Sequence, residues 1–254
     1  MKFFIFLVLA CLIGPSLVLA QEGEYPLLTE PTVRVLLGVE KTATTTEFVA
    51  TAENSIFTFR GARYRGNLTV VENASGFLVI NTLPLEQYVA GVVETSELGS
   101  SSNYLRAMAV VVRSYALNKI QTRAKNLFDV YASTNDQLYK GYGAEIDRPK
   151  WKKAVTKTRG MVVTYAGEPV LTPYFAQSAG TTKSFKAVWG GKEEKPWLIP
   201  VKTNYDKASK RKLYGHGVGL SQKDAANRAE TEGLSMKDLL GYYYVGTAVE
   251  RWYK

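Results

Sequence analysis

Two carboxylates three positions apart, Glu94 and Glu97, lie in the segment GVVETSELGSSSNYLRAMAVVVRSYAL, Gly91 to Leu117, between two apolar helical patterns. A carboxylic acid kept protonated by apolar walls can hand its proton to a leaving oxygen, and Val92, Val93 and Leu98 offer such walls. Glutamates near helix ends are also commonly solvated, and spacing alone does not separate the two acids. A second candidate is His216, the single histidine, in Tyr214-Gly215-His216-Gly217-Val218-Gly219-Leu220-Ser221-Gln222. Its three glycines let backbone and imidazole approach another group closely, and Ser221 opens a helix whose N-terminus attracts anions. A nucleotide site is not indicated, because no P-loop lysine accompanies the loop. In Gln177-Ser178-Ala179-Gly180-Thr181-Thr182, Ser178 could pair with His216 and Asp206 as a hydrolase would, but the Gly-x-Ser-x-Gly elbow is absent.

Those groups need elements to hold them. From Thr32 to Ile80 short β-type runs (VRVLLGV, EFVATA, SIFTFRG, NLTVVE, GFLVI) alternate with Gly, Asn and Ser punctuation and predict antiparallel strands. Pro84 is placed for the first turn of a helix carrying Leu85, Tyr88, Val89 and Val92. Leu105, Met108, Ala109, Val112, Tyr115, Ala116 and Ile120 mark one buried face of a longer helix, capped by Ser102 or Asn103. Further helices are expected over 149–159, from Ser221 to Gly233, and from a capping box at Ser235 and Asp238, with a strand at MVVTY. Strands first and helices mixed with strands later make an α+β pattern: a single domain over 31–254, with an N-terminal antiparallel β region and helices around a cleft.

The chain has 254 residues, 46% of them hydrophobic, with 16 tyrosines and 4 tryptophans, which suffices for a packed core and excludes a disordered chain. MKFFIFLVLACLIGPSLVLA, residues 1–20, reads as a secretory signal: a positive start at Lys2, an apolar run to Ile13 and a small-residue cleavage site at Ala20. Residues 21–30 then form a linker, and no membrane span is expected once the signal is removed. Cys11 is the only cysteine, so the mature chain has neither a disulfide nor a thiolate ligand, which points to a bacterial envelope or secreted setting. With one His and no EF-hand spacing, no metal and no cofactor are expected. The net charge of +9 suits polyanionic surroundings such as a cell wall, but it is scattered and accompanies no nucleic-acid-binding motif.

Taken in order, several segments resemble the SpoIID/LytB family of bacterial cell-wall proteins. They are Tyr64-Arg65-Gly66, Asn81-Thr82-Leu83-Pro84-Leu85-Glu86-Gln87-Tyr88-Val89, Gly91-Val92-Val93, Ser96-Glu97-Leu98, Ala107-Met108-Ala109-Val110, Arg113-Ser114-Tyr115-Ala116-Leu117, Asp136-Gln137-Leu138-Tyr139, Ser178-Ala179-Gly180-Thr181, Val188-Trp189-Gly190 and Gly215 to Gln222. The resemblance implies a peptidoglycan lytic transglycosylase that cuts the MurNAc-GlcNAc bond and leaves a 1,6-anhydro sugar, or a lysozyme where water attacks instead. It assigns the catalytic acid to Glu97, with Glu94 an accessory charge. It also implies that His216, Ser221, Gln222, Arg113, Tyr115 and Ser178 contact or support the glycan. The LytB branch is described as an amidase enhancer, so a non-catalytic wall-binding module with an amidase partner is the alternative. Between Gly91 and Glu97 the chain is longer than the family spacing, and between Glu97 and Ala107 shorter, which keeps Glu94 open. Some members bind zinc through Cys and His ahead of the Gln-x-Tyr motif; YASTND, Tyr131 to Asp136, offers neither.

Overall fold

The described apolar runs ahead of Asn81 do pair as strands. The computed structural model describes Pro26 and residues 29–42, 56–192, 195–208 and 212–254; the expected signal with Cys11, most of the 21–30 linker and the EFVATA strand lie outside the described residues. Strands β1 (Thr32–Glu40), β2 (Ile56–Phe59), β3 (Ala62–Arg65), β4 (Asn67–Asn73) and β5 (Gly76–Pro84) open the chain. β5 runs antiparallel to both β1 and β4, while β2 and β3 form a separate hairpin. Val33 and Val35 of β1 point into the core with Val79 and Leu83 of β5, as period-two alternation requires.

Helices α1 (Leu85–Gly91) and α2 (Ser102–Thr122) follow, then β6 (Val130–Tyr131), α3 (Gly141–Asp147), α4 (Pro149–Lys157), β7 (Met161–Tyr165), β8 (Glu168–Pro169) and β9 (Tyr174–Phe175). The chain ends with α5 (Phe185–Trp189), α6 (Asn204–Ala208), β10 (Leu220–Ser221), α7 (Gln222–Thr231), α8 (Met236–Tyr243) and β11 (Ala248–Arg251). The fold is α+β. β6 joins the first sheet parallel to β1, giving the order β4-β5-β1-β6, so that sheet is not wholly antiparallel.

Two helix starts differ from expectation by one position. Pro84 is the N-cap of α1 rather than a first-turn residue, and Ser101, not Ser102 or Asn103, caps α2 by accepting the Tyr104 N–H at 3.3 Å. Ser235 and Asp238 do form the expected capping box of α8. α2 also departs from the one-face pattern: every residue from Ala107 to Ser114 is buried, because α1, α4, α7, α8 and β7 pack around it. Its Arg113 is enclosed there. The guanidinium donates from Nε to Glu86 Oε1 at 2.8 Å and from Nη2 to Oε2 at 2.7 Å, and Glu86 also accepts the Gly160 N–H at 3.0 Å and the Tyr253 hydroxyl at 2.7 Å. This knot ties α1, α2, the turn before β7 and the C-terminus together.

Candidate functional site

The loop carrying both glutamates is fixed from several sides. α1 stops at Gly91, where a Cβ would lie 2.5 Å from Tyr139 Cε2 and 3.0 Å from Gly141 O, so only glycine admits the neighbouring segment. Val92 bridges Tyr139, and the Val93 N–H donates to Leu138 O at 2.8 Å. Arg148 clasps the loop from outside, donating to Val92 O at 2.7 Å and to Thr95 O. Gln222 Nε2, from the start of α7, donates to Glu94 O at 2.8 Å. The loop is thereby locked to the rest of the site, not left as a mobile tip.

The two acids face different surroundings. Glu94 is half-buried and lines a cleft of about 780 Å³ together with Tyr115, Tyr174, Phe175, His216 and Gln222. The Leu138 N–H donates to Glu94 Oε1 at 2.5 Å, and Oε2 has no hydrogen-bond partner among the described residues. Burial raises the Glu94 pKa, and the Leu138 N–H offsets this only in part. Glu97 lies outside that cleft, in a shallow hollow that it shares with Glu94, Ser96, Leu98 and Arg148. Its Oε2 accepts the Trp151 N–H at 2.8 Å, at the third residue of α4, whose own N-cap Arg148 supplies no side-chain acceptor.

His216 reaches the cleft because β9 and β10 pair in parallel, setting Leu220 beside Tyr174 and Ser221 beside Phe175. Gly219 permits the approach: a Cβ there would fall 2.0 Å from Pro173 O, and its φ is +76°. His216 Nδ1 accepts the Val218 N–H at 3.0 Å, which places the ring proton on Nε2. Burial lowers the imidazole pKa, with a hydrogen bond to the Tyr174 backbone acting in the opposite direction. Phe175 and Trp189 flank the ring at centroid distances of 5.6 and 4.8 Å. Trp189 and Tyr214 are exposed at the cleft edge, offering flat aromatic faces.

The opposite wall carries Tyr115, whose hydroxyl donates to Asp136 Oδ1 at 2.7 Å; Arg123 donates to Asp136 Oδ2 at 2.7 Å. Burial first and the Asp136 charge second push the Tyr115 phenol upward, so it remains a neutral donor. Lys119 stands beside them, 4.0 Å from Asp136 Oδ1, with its pKa lowered by burial and by Arg123.

Of the residues expected to contact glycan, His216, Gln222 and Tyr115 line the cleft with Glu94. Arg113, Ser178 and Ser221 are not among its lining residues, and Arg113 stands behind it on α2, in the supporting position expected for it. Arg113 is occupied by Glu86; Ser178 and Ser221 are fully buried around Asp206, which accepts the Ser178 N–H at 2.9 Å and the Ser221 hydroxyl at 2.6 Å. Ser178 Oγ meets the Thr203 hydroxyl and accepts the Gly180 N–H at 2.9 Å, so no Ser178–His216 nucleophile pair exists. The aromatic wall of Tyr174, Phe175 and Trp189 and the Asp136 cluster were missed as site residues. Their one visible signal was the position of Asp136 and Trp189 inside motifs quoted for the resemblance. No cluster of three or more His, Cys, Asp or Glu suited to a metal occurs among the described residues, and no described helix is long and apolar enough to cross a membrane.

Residues 73–165, which contain both glutamates, Arg113, Tyr115 and Asp136, match the family model SpoIID, described as Stage II sporulation protein. The chain is 30% identical over 149 residues to Stage II sporulation protein D of Bacillus amyloliquefaciens, covering 53% of this chain and 42% of that protein. It is 30% identical over 147 residues to Stage II sporulation protein D of Bacillus subtilis, covering 51% and 41%. An uncharacterised protein of Brachyspira hyodysenteriae is 33% identical over 139 residues, covering 53% and 36%. The chain thus spans well under half the length of the curated relatives it matches. The shared segment carries the locked glutamate loop and the enclosed helix behind it, and over residues 73–165 the chain is similar to the SpoIID family.

Proposed function

We propose that this chain is a secreted or envelope protein that cleaves peptidoglycan glycan at the MurNAc-GlcNAc bond, with Glu94 as the single general acid/base. The observation that carries the reading is the Glu94 carboxyl: half-buried in the aromatic-lined cleft, anchored through one oxygen by the Leu138 N–H, with its pKa raised by burial. Protonated Glu94 gives its proton to the bridging oxygen as the C1–O bond breaks. The resulting carboxylate takes the proton of the sugar's own C6 hydroxyl, whose oxygen closes on C1 to leave an anhydro ring, so proton and charge balance over the cycle. Gln222 Nε2 has a second N–H to donate, the Tyr115 hydroxyl oxygen can accept, and His216, Trp189 and Tyr214 supply flat faces for sugar rings.

The motif resemblance favours Glu97 for the same role, and that reading remains the competitor. Against it stands the position of Glu97 outside the aromatic-lined cleft that Glu94 lines. Mass spectrometry of products released from intact, peptide-stripped and deacetylated peptidoglycan tests the function. Anhydro-sugar ends are expected. Reducing ends would mean that water attacks and the protein is a lysozyme, and no product from any wall would overturn the enzyme reading in favour of a binding module that stimulates an amidase.

A further inference from the structure

α4 carries its charge on its solvent side. Trp151, Ala154 and Val155 are buried against the core, while Lys150, Lys153 and Lys157, spaced i, i+3 and i+7, form one exposed stripe. The acids nearby are already engaged. Glu145 is buried between Arg65 and Lys152, whose Nζ lies 2.9 Å from its Oε1. Asp147 shares a hollow with Arg63, Lys140 and Arg148, and Glu97 caps the helix itself. Glu30, near the far end of the helix, pairs with Arg159 at 2.5 Å. Among the described residues, then, no carboxylate pairs with any of the three stripe lysines.

Two large apolar side chains stand in solvent at the N-terminal end of the same helix. Leu98, 89% exposed, follows the residue that caps α4, and Ile146, 47% exposed, lies just ahead of Lys150 in the chain. Lysines alone would suit any polyanion, but a hydrated phosphate polymer offers nothing to a leucine and an isoleucine. An anionic bilayer answers both: headgroup phosphates meet the ammonium groups, and the acyl boundary takes the apolar side chains. We propose that α4 docks the chain on an anionic membrane surface, with Lys150, Lys153 and Lys157 against the headgroups and Leu98 and Ile146 entering the interface. Glu94 lines both the aromatic cleft and the hollow that holds Leu98, so docking sets that cleft beside the membrane. The docking does not depend on the reaction proposed for the cleft.

The test is co-sedimentation of the purified chain with vesicles of phosphatidylglycerol and, separately, of phosphatidylcholine. Binding to phosphatidylglycerol is expected to be at least about tenfold tighter, and to weaken as salt rises from about 0.1 M to about 1 M. Joint substitution Lys150→Gln, Lys153→Gln and Lys157→Gln should weaken it about 100-fold. Leu98→Ser together with Ile146→Ser should weaken it about tenfold. Every substituted position is exposed, so melting curves should show both variants folded. Equal binding to the two lipids, as insertion of the apolar run at residues 1–20 would give, would overturn the proposal, and so would no binding to phosphatidylglycerol. Binding that survives the lysine substitutions would overturn it as well. Binding that the Leu98 and Ile146 substitutions leave untouched would also overturn it, and would make a phosphate polymer the occupant instead.

Discussion

Glu97 Oε2 accepts the backbone N–H of Trp151, 54 residues further on, at 2.8 Å. This is a helix cap supplied from a distance, at the end of α4 that lacks one of its own. Removing a capping acceptor costs about 1 kcal/mol. Glu97→Ala should therefore lower the unfolding midpoint by about 2–4 °C in thermal denaturation, with the cleft residues left in place.

Glu94 has the opposite relation to stability. Its carboxyl is held above the ordinary value by burial, so the folded chain binds that proton more tightly than the unfolded chain. The resulting stabilisation is present below the unfolded value near 4.5 and is lost as pH rises through the raised folded value. Glu94→Gln, which cannot ionise, should melt at a higher temperature than the unmodified chain at neutral pH, with the gap closing as pH approaches 4.5. Melting curves recorded across that range check this; a variant equally or less stable at neutral pH would contradict it.

His216 is the single histidine of the chain, so an NMR titration follows one imidazole. Burial lowers its pKa, and Nδ1 is already an acceptor for the Val218 N–H. The resonance should titrate below 6.5, with Nδ1 unprotonated at neutral pH. A midpoint at or above 6.5 would show that the ring is solvated and that the wall made with Phe175 and Trp189 is not formed as described.

Arg113 tests the scaffold rather than the cleft. Burial alone would raise the Glu86 pKa, but the Arg113 charge and the hydrogen bonds from Arg113, Gly160 and Tyr253 outweigh it and leave the value lowered. That contribution is present above the usual carboxylate range and is lost as pH falls through the lowered folded value. Arg113→Met leaves a buried carboxylate without its partner, at a cost of about 3–5 kcal/mol. Chemical denaturation should show a loss of this size at neutral pH that shrinks in acid, where Glu86 protonates.

The sequence made the elements more legible than the site. Alternation at Val33 and Val35, the capping box at Ser235 and Asp238, and the helix at Pro149 are local patterns, and local patterns are what spacing records. The choice between Glu94 and Glu97 is not local: it depends on Leu138, 44 residues from Glu94, and on Trp151, 54 residues from Glu97. Whether Ser178, Ser221 and Arg113 contact or support is equally non-local. A polar side chain inside a recognisable motif can face the ligand or hold up the residues that do, and only the partner, Asp206 or Glu86, tells which. The enclosure of α2 on every side was equally invisible, because small residues such as Ala107 and Ser114 on the supposed outer face admit close neighbours rather than solvent.

The central claim is the assignment of the proton to Glu94, and parallel turnover measurements on Glu94→Gln and Glu97→Gln test it most directly. With soluble glycan strands and anhydro-product formation as the readout, Glu94→Gln should lose at least about 100-fold in kcat/KM, as removal of a general acid/base does. Glu97→Gln should stay within about threefold of the unmodified chain, since the amide oxygen still accepts from the Trp151 N–H at the start of α4. A loss of that size in Glu97→Gln, with Glu94→Gln still active, would contradict the account and return the catalytic role to the acid of the Ser-Glu-Leu motif.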